Sequence, residues 1–381
     1  MKQIYLIFFL FLVIPAAAQK ESNNWYFGNG AGFGFNLDNP GPFTDGAINT
    51  WEASSSISDA NGNLLFYTNG NTVWTKEHGI MTNGTGLSGS SSSTQGALII
   101  PKPGSNHIYY IFTTGDQGQG GLRYSEVNIS LNSGLGAVTS KNILLQTNIN
   151  EKLAAVLHDN ANQVWVVCHG STNNAFYAFL VTEQGISNTP VVSFSGTNHQ
   201  NTTLGTSGAM KISPDGAHLA LAVRSPSFVE IFDFNKSSGS VSNVSKLDYF
   251  GEEPYGIEFS PDNSKLYVGA IKSSGSTSNL YQYSFENGKN PSVLKATEYK
   301  IGFNYRIYAL QAGSNKQIYV SKMANSLDII KFPNLARGSL GYQVDGQSLS
   351  GKMSGIGLPN FISTYFIENL IEIKDSCLGT S

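Results

Sequence analysis

The side chains best suited to metal binding are spread along the chain without the spacing that a metal site requires. No histidine forms a His-x-His or His-Glu-x-x-His motif, and none pairs with a cysteine at zinc spacing. Asp59-Ala-Asn-Gly62 carries part of a calcium-loop pattern but lacks its distal glutamate, so a weak surface cation stays open there as an alternative. The histidines are interpreted as isolated turn residues: His78, His107, His158, His169, His199 and His218. The sequence therefore predicts no metal ion and no cofactor.

Motifs for nucleophilic or phosphate chemistry are also missing. No Gly-x-Ser-x-Gly elbow occurs. The run from Gly28 to Gly34 resembles a phosphate-binding glycine loop, but it leads into a strand pattern and not into the helix N-terminus that would hold phosphate. Cys168 follows an apolar strand pattern and is interpreted as a small buried thiol. No catalytic residue is predicted.

The composition limits the class of protein. Lys and Arg number 23 against 26 Asp and Glu, a net charge of −3, so the chain has no basic excess for nucleic acid. Two cysteines exclude a disulfide scaffold. The 41 Gly, 22 Phe and 18 Tyr, with only 13% charged residues, favour many short strands joined by tight turns.

The N-terminus has the pattern of a secretory signal peptide. Lys2 precedes an uninterrupted apolar run over 4–14, and the small residues Ala16-Ala17-Ala18 follow. A bilayer-spanning helix needs about 20 apolar residues, so this run is too short to cross a membrane. We expect residues 1–18 to be removed and the protein to be exported without a membrane span. The alternative is a buried N-terminal strand or helix.

Internal repeats organise the rest of the chain. Segments 210–222 and 257–269 share the pattern strand, Ser-Pro-Asp turn, strand, and each is followed by a second strand pair. Weaker copies continue in phase, with second strands predicted to begin at Leu64, Ile108, Val164, Leu219, Leu266 and Ile318. The spacing of about 50 residues is close to that of four-stranded propeller blades.

A seventh repeat is split between the two ends of the domain. Trp25–Gly28 and 32–37 are predicted as middle strands, and Gly357–Phe366 as the strand that completes their blade. The sequence thus predicts an all-β fold over residues 19–366, a seven-bladed β-propeller of four-stranded blades closed by pairing of its N- and C-terminal strands. Helices should be scarce. A β-sandwich with regular turns is the alternative.

Several segments together resemble a known family: Trp25-Tyr-Phe-Gly28, 58–68, Val73-Trp74, Met81–Gly84, Ser91–Gln95, Glu151–Ala155 and Gly357–Phe361. The set is similar to the N-terminal propeller of large Bacteroidota proteins exported by the type IX (gliding-associated) secretion system. The Ser-Pro-Asp repeats resemble WD-repeat-like, YVTN and lactonase-type propellers more broadly. The resemblance implies a secreted surface or adhesion protein. It also implies further modules, so residues 367–381, with Cys377, are interpreted as a linker to a missing module.

Propeller geometry places one set of side chains on a common face. Residues just before the inner strands and just after the second strands lie at the same mouth of a propeller, where Asn69 and Asp116 are also expected. The candidates for ligand binding there are Lys152, His169, Arg224, Tyr255, Lys272, Arg306 and Lys322. Because most are basic, they predict an anionic ligand such as an acidic glycan or a surface protein. Glu252 and Glu253 on the same face would partly cancel this charge.

Two classes of function remain from the sequence. The favoured one is a non-enzymatic binding or adhesion module that binds an anionic glycan or a surface protein at its central funnel. It is expected to be a monomer that is extracellular or at the cell surface, or periplasmic if a sorting domain is absent. The alternative is a lactonase- or lyase-like hydrolase that acts in the funnel. The enzyme would need paired carboxylates or a histidine cluster at the mouth, and the sequence pattern indicates neither.

Overall fold

A computed structural model of the chain describes residues 20–36, 40–199 and 203–367. The predicted signal peptide and all but the first residue of the predicted linker lie outside these ranges. The described residues form 28 strands with two short helices, α1 (Thr203–Thr206) and α2 (Pro291–Thr297). Four 3₁₀ turns complete the elements: Asp116–Gly118, Asn132–Gly134, Arg337–Leu340 and Ser363–Phe366. The predicted scarcity of helices is confirmed.

The strands form antiparallel sheets that follow the order of the chain. The first sheet contains β1 (Asn24–Phe27), β2 (Ala31–Gly34) and β3 (Gly41–Phe43). The next unit contains β4 (Ser55–Ser58), β5 (Leu64–Thr68), β6 (Thr72–Thr75) and β7 (Ile80–Thr85). It is followed by β8 (Ala97–Pro101), β9 (Ile108–Thr114), β10 (Leu122–Asn128) and β11 (Ala137–Gln146). A single parallel pairing between Thr82 and Ala137 joins these two units into an eight-stranded sheet.

Four further sheets complete the described structure. The first of them contains β12 (Ile149–Leu157), β13 (Val164–Gly170), β14 (Ala175–Thr182), β15 (Gly185–Ile186) and β16 (Val191–Phe194). The second contains β17 (Met210–Ile212), β18 (His218–Val223), β19 (Phe228–Asn235) and β20 (Ser240–Asp248). The third contains β21 (Glu252–Phe259), β22 (Lys265–Lys272), β23 (Ser278–Ser284) and β24 (Tyr299–Phe303). The last contains β25 (Leu310–Ala312), β26 (Ile318–Val320), β27 (Ser326–Ile330) and β28 (Tyr342–Ser348).

The first strands of successive units pack side by side, from β1 through β4, β8, β12, β17 and β21 to β25. Each unit therefore turns one edge toward a common axis, which is the arrangement of a β-propeller. The predicted all-β propeller is confirmed. Among the described residues, no helix has the length and apolarity to cross a bilayer.

The Ser-Pro-Asp turns are built as their residue types predict. Asp215 Oδ1 accepts hydrogen bonds from the Ser213 hydroxyl and from the backbone N–H of Ala217. Asp262 Oδ1 is bound in the same way by the Ser260 hydroxyl and the Ser264 N–H. These bonds satisfy the turn backbone locally, so each hairpin returns directly into the adjacent strand of the same sheet.

The ring closes in a different way from the strand pairing that the sequence predicts. Segment 357–366 forms no strand with β1 among the described residues, so that detail of the sequence prediction is wrong. The first and last units of the ring meet instead at Asn29, whose N–H donates to the Met353 carbonyl at 2.9 Å. The first and last sheets then pack through aromatic rings, with Phe33 and Tyr319 centroids 4.9 Å apart. Gly28 permits this close approach, because a Cβ there would lie 2.1 Å from the Met353 oxygen.

The C-terminal segment runs among the inner strands. The Asn360 N–H donates to Ser54 O at 2.9 Å, and its side-chain amide donates to Leu153 O at 2.9 Å. The Thr364 hydroxyl accepts from the Leu157 N–H at 3.0 Å. These partners belong to the second and fourth units of the ring, so residues 357–366 form an axial segment that lies among the inner edges of the units. Strand pairing with β1 was not available to a chain that occupies this position.

Candidate functional site

A cavity of about 110 Å³ opens where the inner strands begin and the second strands end. It is lined by Glu52, Ser92, Asp116, Gln117, Glu151, Ser207 and Arg224. These residues come from loops before β4, β8 and β17, from the start of β12, and from the ends of β9 and β18. They meet because all of these positions lie on one face of a propeller, as the sequence analysis expected for such positions.

Glu52 is the most perturbed acid of this cavity. Its side chain is buried and accepts a hydrogen bond from the Tyr255 hydroxyl at 3.0 Å. Burial raises the pKa of Glu52 to about 8, and the neighbouring Glu151 charge adds to this, while Tyr255 and Arg224 oppose it. At neutral pH, Glu52 is therefore mainly a protonated acid that can donate a proton.

Glu151 has the opposite environment. Its Oε2 accepts from both the N–H and the hydroxyl of Thr94 at 2.8 Å, and its Oε1 accepts from the Gln117 N–H at 2.9 Å. These three donors fix the position and orientation of the Glu151 carboxyl group at the cavity. The cavity thus holds two carboxyl groups in different environments.

Arg224 and Tyr255 are the two predicted site residues that the structure brings to this cavity. Arg224 Nη2 donates to Glu253 Oε2 at 2.6 Å, and its guanidinium carbon lies 5.8 Å from the centroid of the Tyr255 ring. Burial and the Glu52 carboxyl group raise the pKa of Tyr255 well above its ordinary value. Tyr255 therefore acts as a neutral donor, and part of the Arg224 charge is already matched by Glu253.

Lys152 and His169 are fully buried and do not line the cavity. Lys152 Nζ donates to the carbonyl oxygens of Thr206 and Ser207 at 3.0 and 2.9 Å, and burial lowers its pKa to about 7. The His169 ring stacks on His199 at 4.0 Å, and burial lowers the pKa of both rings. The interpretation of His169 and His199 as turn residues is wrong, because both side chains are buried in the core. Neither the Lys152 nor the His169 side chain is exposed at the mouth.

The remaining three predicted site residues lie away from this cavity. Lys322 Nζ binds Asp328 and Asp345 at 2.5 and 2.7 Å. Arg306 is exposed and donates to the Gly275 carbonyl at 3.1 Å. Lys272 is partly exposed at the end of β22. The charge of the ligand stays a prediction, since these positions alone do not test it.

The sequence pattern did not indicate the acidic pair at the mouth. Glu52 and Glu151 are nevertheless close enough for the charge of Glu151 to raise the pKa of Glu52. Lys152 was selected because it lies next to the start of a predicted inner strand, and Glu52 lies just before the inner strand β4 in the same way. Glu52 was not selected because Ser55–Ser58 lacks the alternation of apolar residues that would have predicted β4 from the sequence. No group of three or more His, Cys, Asp or Glu in the described ranges could hold a metal ion.

Residues 154–298 match the profile of a family described as lactonase, seven-bladed β-propeller. The matched part includes Arg224 and Tyr255 but not Glu52 or Glu151. No curated protein matches the chain.

Solved structures with the same fold include two from Bacteroides. A proposed 6-phosphogluconolactonase from Bacteroides uniformis superposes with a TM-score of 0.54 at 12% identity, covering 87% of this chain and 99% of that one. Another from Bacteroides fragilis gives a TM-score of 0.55 at 10% identity, covering 87% and 97%. A protein from Lactobacillus plantarum gives 0.53 at 12%, covering 88% and 98%. At these identities the likeness establishes the propeller fold.

The favoured sequence interpretation, a non-enzymatic binding or adhesion module, is wrong. The lactonase profile match over 145 consecutive residues contradicts it and favours the hydrolase alternative. The physical reason for the error lies in Glu52 and Glu151, which are about 100 residues apart in sequence and meet only through the closure of the ring.

Proposed function

We propose that this protein hydrolyses a lactone of a sugar acid at the Glu52–Glu151 cavity. The observation that carries the proposal is a pair of carboxyl groups in different environments at one cavity: burial raises the pKa of Glu52 to about 8, and Glu151 accepts hydrogen bonds from three donors. Two carboxyl groups whose environments differ can serve as the acid and the base of one reaction. The lactonase profile supports the reaction class.

Each residue has a defined role in this reaction. The Glu151 carboxylate removes a proton from a water molecule, whose oxygen bonds to the lactone carbonyl carbon. The Arg224 guanidinium stabilises the oxyanion that forms. The ring C–O bond then breaks, and Glu52 transfers its proton to the departing ring oxygen. The product is the open hydroxy acid, and proton exchange with solvent restores both glutamates.

The charges around the cavity favour an uncharged lactone. Asp116 and Glu151 line it, and the single basic side chain among its lining residues is already paired with Glu253. A phosphate group would bring its negative charges toward these carboxylates, and like charges at short range repel. The expected substrate therefore differs from the 6-phosphate compound in the names of the two Bacteroides proteins.

The test compares two lactones. Purified protein is given D-glucono-1,5-lactone or its 6-phosphate at pH 6.5, where lactone loss is followed against the spontaneous rate. We expect hydrolysis well above the spontaneous rate for glucono-1,5-lactone and a lower kcat/KM for the phosphorylated compound. A preference for the 6-phosphate would overturn the charge argument and restore the anionic ligand expected from the sequence. No acceleration with either compound would overturn the proposed reaction.

We further propose that the ring has seven blades. Counting the eight-stranded sheet as two blades and β1–β3 as a three-stranded blade supports this number, as does the family description. A single pairing between Thr82 and Ala137 is a weak link for one continuous sheet. An electron-density map that showed β7 and β11 paired along their full length would contradict the count.

We also propose that the protein is exported after cleavage at Ala18, in the manner of the type IX secreted proteins that its N-terminal segments resemble. Lys2, the apolar run 4–14 and the small residues 16–18 support this. N-terminal sequencing of the protein from its native host should find Gln19 first. A retained Met1 would contradict the proposal.

A further inference from the structure

A second and larger cavity of about 430 Å³ lies beside the acid–base cavity. Its lining includes Asn29, Asn49, Trp51, Ser91, Met323 and Met353. The two cavities adjoin through consecutive residues, since Trp51 and Ser91 line the larger one while Glu52 and Ser92 line the smaller one. The Glu52 N–H also donates to the Ser91 carbonyl at 2.8 Å. The linings of the two cavities therefore adjoin at the loops that carry Glu52 and Ser91.

Trp51 forms an aromatic surface in this cavity. Its side chain is 51% exposed, although the propeller buries Trp25, Trp74 and Trp165 almost completely. Its backbone is held firmly, because its carbonyl accepts from the N–H groups of both Ile356 and Gly357, at 2.9 and 3.3 Å. A large apolar ring that is exposed on a fixed backbone gives a ligand a preformed contact surface.

The polar groups around Trp51 are uncharged. Asn29 and Asn49 are exposed, and among the described residues neither side-chain amide has a hydrogen-bond partner. No acidic or basic side chain lines this cavity. Each amide offers two donors and one acceptor oxygen to a ligand. An aromatic face combined with free amides and no charge suits a molecule that has an apolar face and several hydroxyl groups.

We propose that the Trp51 cavity binds a neutral sugar ring and that the substrate is the lactone of a disaccharide acid. The lactone ring occupies the Glu52–Glu151 cavity, and the attached glycosyl unit lies over Trp51 with its hydroxyl groups bonded to Asn29 and Asn49. This inference rests on the proposed lactonase function, whose substrate it extends by one sugar unit.

The kinetic test measures a selectivity. Hydrolysis of lactobiono-1,5-lactone and of D-glucono-1,5-lactone is compared in the wild type, in Trp51→Ala, and in Phe194→Ala, a control at an aromatic residue that is 71% exposed on β16. We expect the wild type to favour the disaccharide lactone in kcat/KM. Trp51→Ala should lower that preference about tenfold, mainly through KM, because stacking of a ring on an aromatic residue contributes to binding. Phe194→Ala should leave the preference unchanged.

A binding experiment separates failure of the inference from failure of the proposed reaction. Lactose, which is neutral and cannot be hydrolysed as a lactone, is titrated by calorimetry into the wild type, Trp51→Ala and an Asn29→Ala/Asn49→Ala double variant. Weaker lactose binding in both variants supports the sugar subsite. If neither lactone is hydrolysed as well, only the proposed reaction is contradicted. Equal selectivity and equal lactose affinity in the wild type and both variants would overturn the inference, and hydrolysis of gluconolactone would then still support the proposed reaction.

Discussion

The Tyr255 hydroxyl donates a hydrogen bond to Glu52 Oε1 at 3.0 Å, although 203 residues separate the two in sequence. Tyr255 lies on β21 and Glu52 just before β4, so the bond crosses the mouth of the propeller. It is formed only when the ring closes. The protonation state of Glu52 therefore depends on the assembled fold.

Lactone hydrolysis should fall as the pH rises through about 8. Glu52 must be protonated to act as the acid, and burial raises its pKa to about 8. The Tyr255 hydrogen bond stabilises the carboxylate, so Tyr255→Phe should raise the pKa further and move the alkaline limb of kcat/KM to higher pH. The pH profiles of both proteins, corrected for spontaneous hydrolysis, measure this. A limb that moves to lower pH in Tyr255→Phe would contradict it.

Thermal stability should also report the state of Glu52. The native pKa of Glu52, about 8, lies above its ordinary value of 4.5, so the native protein holds a proton that the unfolded chain releases between these pH values. Glu52 therefore lowers the free energy of unfolding as the pH rises from about 4.5 to 8. Glu52→Gln lacks this titration, and its Tm relative to wild type should increase over that range. The exposed Glu77→Gln serves as the control, and a constant difference for Glu52→Gln would contradict the prediction.

Gly357 should be essential for the position of Glu52. A Cβ at Gly357 would lie 1.8 Å from the Glu52 carbonyl oxygen, so Gly357→Ala must push the loop that carries Trp51 and Glu52 away from the C-terminal segment. Strain of this kind costs about 1–3 kcal/mol, and lactone hydrolysis should fall with it. Urea unfolding and kinetics measure the two effects. Gly79→Ala, where a Cβ meets nothing within 4 Å, is the matched control, and equal stability of the two variants would contradict this account.

Much of the strand pattern follows from the sequence alone. The predicted starts of the second strands, such as Leu64, Ile108 and Val164, agree with β5, β9 and β13 to the residue. Alternating apolar residues and Ser-Pro-Asp turns specify local structure, so the strands and turns can be predicted from one sequence. The path of residues 354–366 cannot be predicted in this way. Its apolar residues Phe361 and Ile362 suit either a strand or an axial segment, and only the partners across the ring decide between them.

The candidate site was less predictable for a related reason. Positions on the mouth could be inferred from propeller geometry, which correctly brought Arg224 and Tyr255 to one face. The rule gave no information on burial, so it included Lys152 and His169, whose side chains point into the core. The different environments of Glu52 and Glu151 depend on the burial of Glu52 and on hydrogen bonds to Glu151 from Thr94 and Gln117, and these residues meet only in the folded ring.

Removal of the axial segment should prevent folding. Phe361, Ile362, Tyr365 and Phe366 are all at least 92% buried, and each contributes roughly 1.5–3 kcal/mol when removed from water. Several such residues together approach the whole stability of a typical domain, about 5–15 kcal/mol. A chain that ends before Gly355 should therefore be insoluble, whereas one that ends after Ile367 should keep the wild-type Tm. Equal soluble yield and Tm for the two chains would contradict an axial role for this segment.

The most direct test of the acid–base pair is the kcat/KM for D-glucono-1,5-lactone in Glu52→Gln and Glu151→Gln. Each substitution keeps the shape of the side chain and removes its ability to transfer a proton. Loss of a general acid or base lowers the rate by about 10²–10⁴, so we predict a decrease of at least about 100-fold in each variant and none in the surface control Glu77→Gln. Wild-type kcat/KM in either variant would contradict the assignment of Glu52 and Glu151 as the catalytic pair.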